Sequence, residues 1–340
     1  MPALDRSLVA FVTGATGFLG YEIARQLVTR GVRVRALTRD GALPGELPAL
    51  GVEPVRGDLL DAAALGRGVQ GAGVVLHVAA DVNMWPARFA ASYRTNVLGT
   101  RTLLEASLAA GVPRFVYTSS ASTLGKPWQS PPRERVLVDE RDAYNLEPLG
   151  MVYPHTKWLG EEESLAAMAR GLEVVITHPT AIFGPSDWKH NLLPLFRATR
   201  SLAGLAVPRG HRTTCDVRDV AAAHVALVSQ GTSGERYALG GEVLSVRELF
   251  GTLARETGGN PPRFELPDGA MVGLGRAMEA WATLTGKPPT VSVEMALQST
   301  WRVGISSDKA ARELGYRSRP FAETVRDAVA WYRSQGLLPS

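Results

Sequence analysis

Thr13-Gly14-Ala15-Thr16-Gly17-Phe18-Leu19-Gly20 joins a short apolar run, Leu8 to Thr13, to a segment whose apolar positions Leu19, Ile23 and Leu27 recur every four residues. The run reads as a buried strand and the recurrence as a helix packed on a sheet, closed by Gly31. The glycines between them are spaced three and three. Gly14 permits a tight turn, Gly17 lets backbone approach a pyrophosphate, and Gly20 lets helix and strand pack closely. The helix N-terminus adds unpaired amides and a positive dipole end. A glycine triplet alone is common; placed between strand and helix near the start of the chain, it predicts a dinucleotide phosphate loop, Thr16 included.

Outward from this loop the alternation continues. Val32 to Leu37, Pro54 to Arg56, Val74 to Val78, Phe115 to Thr118 and Val174 to Thr177 read as further strands. A long helical pattern through Tyr93, Val97, Leu104 and Leu108 precedes the fifth strand and stops at Gly111. Repeated strand–helix alternation demands right-handed crossovers and a parallel sheet covered on both faces. The expected fold is α/β, a doubly wound parallel sheet of the Rossmann type with ligands beyond the carboxyl ends of its strands. From about Gly184 Pro and Gly become frequent. Residues 1–183 are therefore read as the dinucleotide-binding domain. Residues 184–340 are read as a smaller, mainly substrate-binding α/β domain, with a return to the sheet near residues 212–240.

The totals agree with a soluble enzyme. With 340 residues and 45% hydrophobic composition, the chain can bury a large core. A net charge of +4 without a dense basic block argues against nucleic-acid binding. The single cysteine, Cys215, excludes an intrachain disulfide, and six scattered histidines lack metal-helix spacing. Met1 to Ser7 lacks the apolar region of a signal peptide, and no apolar run is long enough to span a membrane, so a cytoplasmic location is expected.

The end of the second strand bears on the cofactor. An acidic residue there grips both ribose hydroxyls of NAD, whereas this chain has Thr38-Arg39-Asp40. The planar fork of Arg39 suits a 2′-phosphate and points to NADP(H); Asp40, one position later, leaves NAD open. In Gly57-Asp58-Leu59, Asp58 stands where it meets an adenine amino group or caps the next helix.

Tyr153-Pro154-His155-Thr156-Lys157 carries the expected chemistry. Four residues apart on a helix, phenol and ammonium project together. A nearby cation is expected to lower the phenol's pKa toward neutrality and make proton transfer feasible. The spacing alone is weak. It gains meaning from Ser119-Ser120-Ala121-Ser122 at the carboxyl end of the fifth strand, where a hydroxyl donates to a substrate carbonyl or to the oxyanion that develops there. Ser120 is the first choice, Ser122 and Thr123 the next. Asn96, a poor residue for a helix interior, is expected to bond backbone near the cofactor and hold the active-site strand.

The order of these features resembles the extended short-chain dehydrogenases/reductases. They run from the glycine loop through Asp58, His77-Val78-Ala79-Ala80, Asn96-Val97-Leu98-Gly99-Thr100, Ser120 and Tyr153/Lys157 to His178-Pro179-Thr180, Gly184-Pro185 and Asp219-Val220-Ala221. Arg39-Asp40 and Gly234 to Gly241 are similar to the dihydroflavonol-reductase-like and 3β-hydroxysteroid-dehydrogenase-like branches. The resemblance implies that Phe18 and Leu19 offer amides to the pyrophosphate, that Ala79 and Ala80 line the cofactor, and that Pro179 and Thr180 lie near the nicotinamide. It also implies that Lys157 bonds the nicotinamide ribose, and that copies pair through the helices bearing Asn96 and Tyr153 into a homodimer. Arg212-Thr213-Thr214-Cys215-Asp216-Val217 keeps the Arg of a nucleotide-sugar segment but has Asp216 where such members carry His.

Apolar and aromatic residues in the loops (Met84, Trp85, Phe89, Trp128) and the apolar stretch Ala270 to Leu284 point to an apolar or aromatic ketone. The stretch reads either as a pocket lining or as a core helix. The expected activity is NADP(H)-dependent ketone reduction or the reverse oxidation. The alternatives are a sugar-nucleotide epimerase or dehydratase and a non-enzymatic NADP-binding protein.

Overall fold

A computed structural model describes residues 5–129 and 134–339; the first four residues of the Met1 to Ser7 segment lie outside the described residues. The apolar runs form the expected strands: β1 (Val9–Thr13), β2 (Arg33–Thr38), β3 (Glu53–Arg56), β4 (Val74–His77), β5 (Arg114–Thr118) and β6 (Glu173–Pro179). A seventh, β7 (Arg236–Leu239), pairs parallel with β6, from Arg236 opposite Ile176 to Leu239 opposite Pro179. The order is β7-β6-β5-β4-β1-β2-β3, all parallel. The winding reverses between β1 and β4, and a crevice opens there at the carboxyl ends.

The sheet's two faces bury two separate cores, because alternate strand residues point to opposite sides. Ala10, Val12, Leu76, Val116 and Val175 meet helices α1 (Phe18–Thr29) and, far along the chain, Val217–Ala226. Phe11, Val75, Phe115 and Val174 meet α2 (Ala62–Val69), α3 (Gly99–Ala109) and α4 (Val152–Met168). All five residues of β1 are buried, as a two-sided sheet requires.

Two local features sharpen the sequence reading. The pattern from Tyr93 to Leu108 is helical throughout, but its turn Arg94–Leu98, which leads directly into α3, is π-helical. It places Asn96 where a regular helix does not, as such turns do at functional sites. The return to the sheet is made by β7, whereas His211–Asp216 pairs with Ala181–Phe183 and Val243–Ser245 in a separate three-stranded sheet. A C-terminal core around Phe183, Phe196, Leu253, Phe321 and Tyr332 supports this second sheet. Among the described residues no helix is long and apolar enough to cross a membrane.

Candidate active site

The crevice is a cleft of about 730 Å³. Its floor is the glycine loop: Gly14, Thr16, Gly17, Phe18, Leu19 and Gly20 all line it. Gly14 has φ +80°, and a Cβ there would come within 2.7 Å of the Ala79 amide nitrogen. A Cβ on Gly20 would lie 2.2 Å from the Gly14 carbonyl oxygen. Gly20 therefore lets the loop fold onto its own backbone, and Gly14 lets that loop close against the end of β4. Gly17 heads α1 without a side-chain cap and no acidic residue follows in the first turn, so the opening amides stay free for an anion. This floor fits a dinucleotide pyrophosphate.

Toward β2 the wall carries Arg39, Asp58 and Leu59. Arg39 is exposed and makes no hydrogen bond or ion pair among the described residues. Asp40 instead serves its own turn, accepting from Thr38 Oγ1 and the Ala42 amide, each at 3.0 Å. The helix cap anticipated at Asp58 is supplied by Asp61, which accepts from the Ala64 amide at 2.9 Å. Asp58 accepts from the Leu60 amide at 2.7 Å and keeps its place on the cleft wall.

On the other side of the switch point Ala79, Ala80, Ser120, Tyr153, Lys157, Pro179 and Thr180 line the same cleft. Ser120 Oγ accepts from the Ser122 hydroxyl at 2.9 Å and the Ser122 amide at 3.2 Å, which leaves its own proton free to donate. Ser122 is thus a support for Ser120. Thr123 turns away to Glu161 at 2.6 Å. Ser119 donates its hydroxyl to Glu161 and its amide to the Thr177 carbonyl.

Lys157 is buried and donates from Nζ to the Thr118 carbonyl at 2.8 Å, with the ammonium 4.3 Å from the Tyr117 ring centre. Burial pushes its pKa down to about 7, opposed by Glu161. The anticipated lowering of the Tyr153 phenol is not found. Burial pushes it up to about 12, while Ser120, within hydrogen-bonding reach, pulls it the other way and Glu294 raises it further. Desolvation of the phenol outweighs the influence of its neighbours.

Asn96 does not line the cleft. Its side chain accepts from the Asp81 amide at 2.7 Å and donates to the Asp81 carbonyl at 2.9 Å and to Thr156 Oγ1 at 3.0 Å. It ties the segment after β4 to α4. A second chain runs behind it. Thr100 gives its proton to the Asn96 carbonyl at 2.7 Å, so it accepts from His77 Nε2 at 2.9 Å, and His77 Nδ1 accepts from Thr13 at 2.7 Å. Burial keeps His77 neutral, its pKa pushed down to about 3.

Other residues that the sequence singled out lie outside the cleft lining. His178 is fully buried and bonds the Ser120 carbonyl and Arg236, so it supports the strand end. Asp216 caps Val217–Ala226 and pairs with Arg218, and Arg212 donates to the Gln298 carbonyl at 2.6 Å. Cys215 is buried, and burial pushes its thiol up to about 12. In the stretch Ala270 to Leu284, Met271, Gly275 and Ala282 are buried while Leu274, Trp281 and Leu284 face solvent, and none lines the cleft. Sequence reasoning missed Lys189 and Asn191, which line the cleft from the loop after Phe183. The positive φ of Ser186 and His190 bends that loop, which Gly184-Pro185 alone signalled.

Residues 10–240 match the NAD dependent epimerase/dehydratase family. The chain is 33% identical to a protein of Synechocystis sp. named putative dihydroflavonol 4-reductase, over 96% of this chain and 95% of that one. It is 32% identical to a protein of Stigmatella aurantiaca named 4-hydroxy-2-methyl-3-oxo-4-farnesyl-3,4-dihydroquinoline-1-oxide ketoreductase, over 97% of this chain and 98% of that one. The crystal structure of gox2253 superposes with a TM-score of 0.83 at 32% identity, covering 97% of this chain and 99% of that one. The glycine loop at the switch point, the order of motifs around it and these full-length likenesses agree: the chain belongs to the NAD dependent epimerase/dehydratase family of extended short-chain dehydrogenases/reductases, nicotinamide-dependent oxidoreductases.

Proposed function

We propose that this chain reduces the ketone of a moderately large apolar or aromatic substrate with NADPH, or oxidises the corresponding alcohol, with Tyr153 as proton donor or acceptor. The reading rests on one observation: Ser120, Tyr153 and Lys157 meet on one wall of the cleft whose opposite wall carries the guanidinium of Arg39, unpaired among the described residues. The names of the Synechocystis and Stigmatella relatives, a dihydroflavonol reductase and a farnesyl-quinoline ketoreductase, support an apolar ketone.

A reduced nicotinamide, when bound, supplies the hydride that adds to the carbonyl carbon. The chain's residues do the rest. Ser120 donates to the carbonyl oxygen as negative charge gathers there. Tyr153, protonated throughout the neutral range, passes its proton to the same oxygen, so the C=O π bond is replaced by one C–H and one O–H bond. Lys157 stabilises the phenolate left behind and bonds the nicotinamide ribose. Its pKa near 7 suits it to return a proton to the phenol. Pro179 and Thr180 would flank the nicotinamide, Ala79 and Ala80 would line the cofactor, and Asp58 and Leu59 would meet the adenine end. Arg39 would hold the 2′-phosphate. Residues 184–340 supply most of the substrate side.

The test is purified protein with NADPH or NADH and four candidates: an aryl ketone, a 3-oxoalkanoate ester, a farnesylated aromatic ketone and UDP-glucose. Stoichiometric NADPH loss with an apolar ketone, faster than with NADH, is expected. Conversion of UDP-glucose without net NADPH consumption would overturn the reading in favour of an epimerase or dehydratase.

A further inference from the structure

The helix that carries Tyr153 begins at Val152, and the residue before it, Met151, has no side chain able to cap it. Its first amides are nonetheless satisfied, from far along the chain. Glu294 Oε2 accepts from the Val152 amide at 2.7 Å and from the Tyr153 amide at 3.3 Å. A carboxylate at a helix N-terminus pairs with two orphan donors and with the dipole at once. The contact is deliberate in its construction, since Glu294 is only 4% exposed. Its other oxygen accepts from Gln298 Nε2 at 3.2 Å, and the Gln298 carbonyl accepts from Arg212 at 2.6 Å. The amide of the preceding Val293 donates to Glu279 at 2.8 Å, which fixes Val293–Thr300 against the helix Asp268–Thr285.

We propose that Glu294 is a positioning residue for Tyr153: a carboxylate from the C-terminal half that caps the Tyr153 helix, holds the phenol in register with Ser120, and places a negative charge behind it. The inference rests on the role assigned to Tyr153 above. It gives the helix pair Asp268–Thr285 and Val293–Thr300 a function that neither a pocket lining nor a plain core supplies.

The groups facing Glu294 define how its charge behaves. Glu279 faces it from Asp268–Thr285, Tyr144 from the segment before α4, and Tyr153 from α4 itself. Among the described residues no Lys or Arg pairs with it. Burial and Glu279 raise its pKa to about 7, against the pull of the two helix amides. Above neutrality the ionised carboxylate grips both amides and disfavours the phenolate. Below neutrality it becomes a weaker acceptor and the phenol loses its anionic neighbour. The cap thus tightens with rising pH.

Two variants separate the charge from the contact. Glu294→Gln keeps one acceptor oxygen and removes the charge; Glu294→Ala removes both. Amide hydrogen exchange in the full chain without substrate reads the cap directly. The Val152 and Tyr153 amides should exchange about tenfold or more faster in Glu294→Ala, with the Val74–His77 strand as the unchanged reference. In Glu294→Gln, the alkaline limb of kcat/KM for NADPH-dependent ketone reduction should move about half a pH unit down, because the phenol ionises more readily without the carboxylate. The KM for NADPH should stay put. Equal amide protection in wild type and Glu294→Ala overturns the cap, and an unmoved alkaline limb in Glu294→Gln overturns the charge effect. If wild type consumes no NADPH with any ketone, the functional reading falls by itself, and the exchange measurement still decides the cap.

Discussion

Asn96 Nδ2 donates to Thr156 Oγ1 at 3.0 Å, so a residue of the π-helical turn is bonded to α4 three positions after Tyr153. The same side chain closes a two-bond ring with the backbone of Asp81 beyond β4. One amide thereby sets the distance between the cofactor wall and the phenol. Asn96→Ala strips three bonds, one from buried Thr156 and two from half-buried Asp81, and leaves the Asp81 amide without this acceptor. The expected loss is about 2–3 kcal/mol of unfolding free energy, read by urea titration. A fall of about tenfold in kcat should accompany it. Asn96→Asp should be nearly as damaging, because a carboxylate accepts from the Asp81 amide but donates to neither the Asp81 carbonyl nor Thr156. A variant with wild-type stability would show that this amide joins nothing of consequence.

Tyr153→Phe keeps the ring and removes only the hydroxyl. If Tyr153 delivers the proton, kcat for ketone reduction falls by about 10²–10⁴-fold. NADPH affinity, measured by fluorescence titration, should change little, because the floor of the cleft is built by the glycine loop. Activity within tenfold of wild type would assign the proton to another group.

Arg39 bears on cofactor choice. It stands on the cleft wall without a bonded partner among the described residues, whereas Asp40 is engaged in its own turn. Arg39→Ala should lower kcat/KM for NADPH by about ten- to a hundredfold, the scale of a lost charge-assisted bond to phosphate, and leave NADH turnover unchanged. Parallel losses with both cofactors would mean that Arg39 holds the adenosine half without reading the 2′-phosphate.

The parts legible in the sequence are those fixed by local rules. The apolar runs and the glycine spacing dictated β1, α1 and the switch-point crevice, because two-sided burial and the phosphate turn each require particular residue types at particular steps. Tyr153, Lys157 and Ser120 were legible because strand ends and helix spacing place them on one wall. What stayed hidden arises from long-range pairing. Glu294 meets Tyr153 only through the docking of a helix pair, and no periodicity records that encounter. His178 and Glu161 act beneath Ser120 through bonds to Arg236 across the β6–β7 junction. The phenol's raised pKa depends on burial, which the Tyr-x-x-x-Lys spacing does not encode. Lys189 and Asn191 reach the cleft through a bent loop whose shape no sequence pattern fixed.

The buried histidines predict how the fold responds to acid. His77, His178 and His224 are almost wholly buried, and burial pushes their pKa values down to about 3, 4 and 4. Unfolded, each returns to the ordinary 6.5. Between that value and about pH 4 the unfolded chain binds protons that the folded chain refuses, so stability is present above pH 6.5 and is lost as pH falls. Each histidine contributes up to about 1.4 kcal/mol of loss per pH unit in that window. His224 isolates the effect, because it lies behind β5 and β6, accepting from Thr118 and Thr177 at 3.0 Å and donating to the Val220 carbonyl at 2.8 Å. In His224→Gln the amide oxygen can still accept from the threonines, so the fold should survive with a loss of about 1–2 kcal/mol at neutral pH. The slope of unfolding free energy between pH 6.5 and 4.5 should then become shallower by roughly one proton's worth, about 1.4 kcal/mol per unit. Urea titrations of both proteins across that range measure it. A variant whose slope matched wild type would mean that His224 is already protonated in the folded chain, and its bond to the Val220 carbonyl would have to be read as that of an imidazolium.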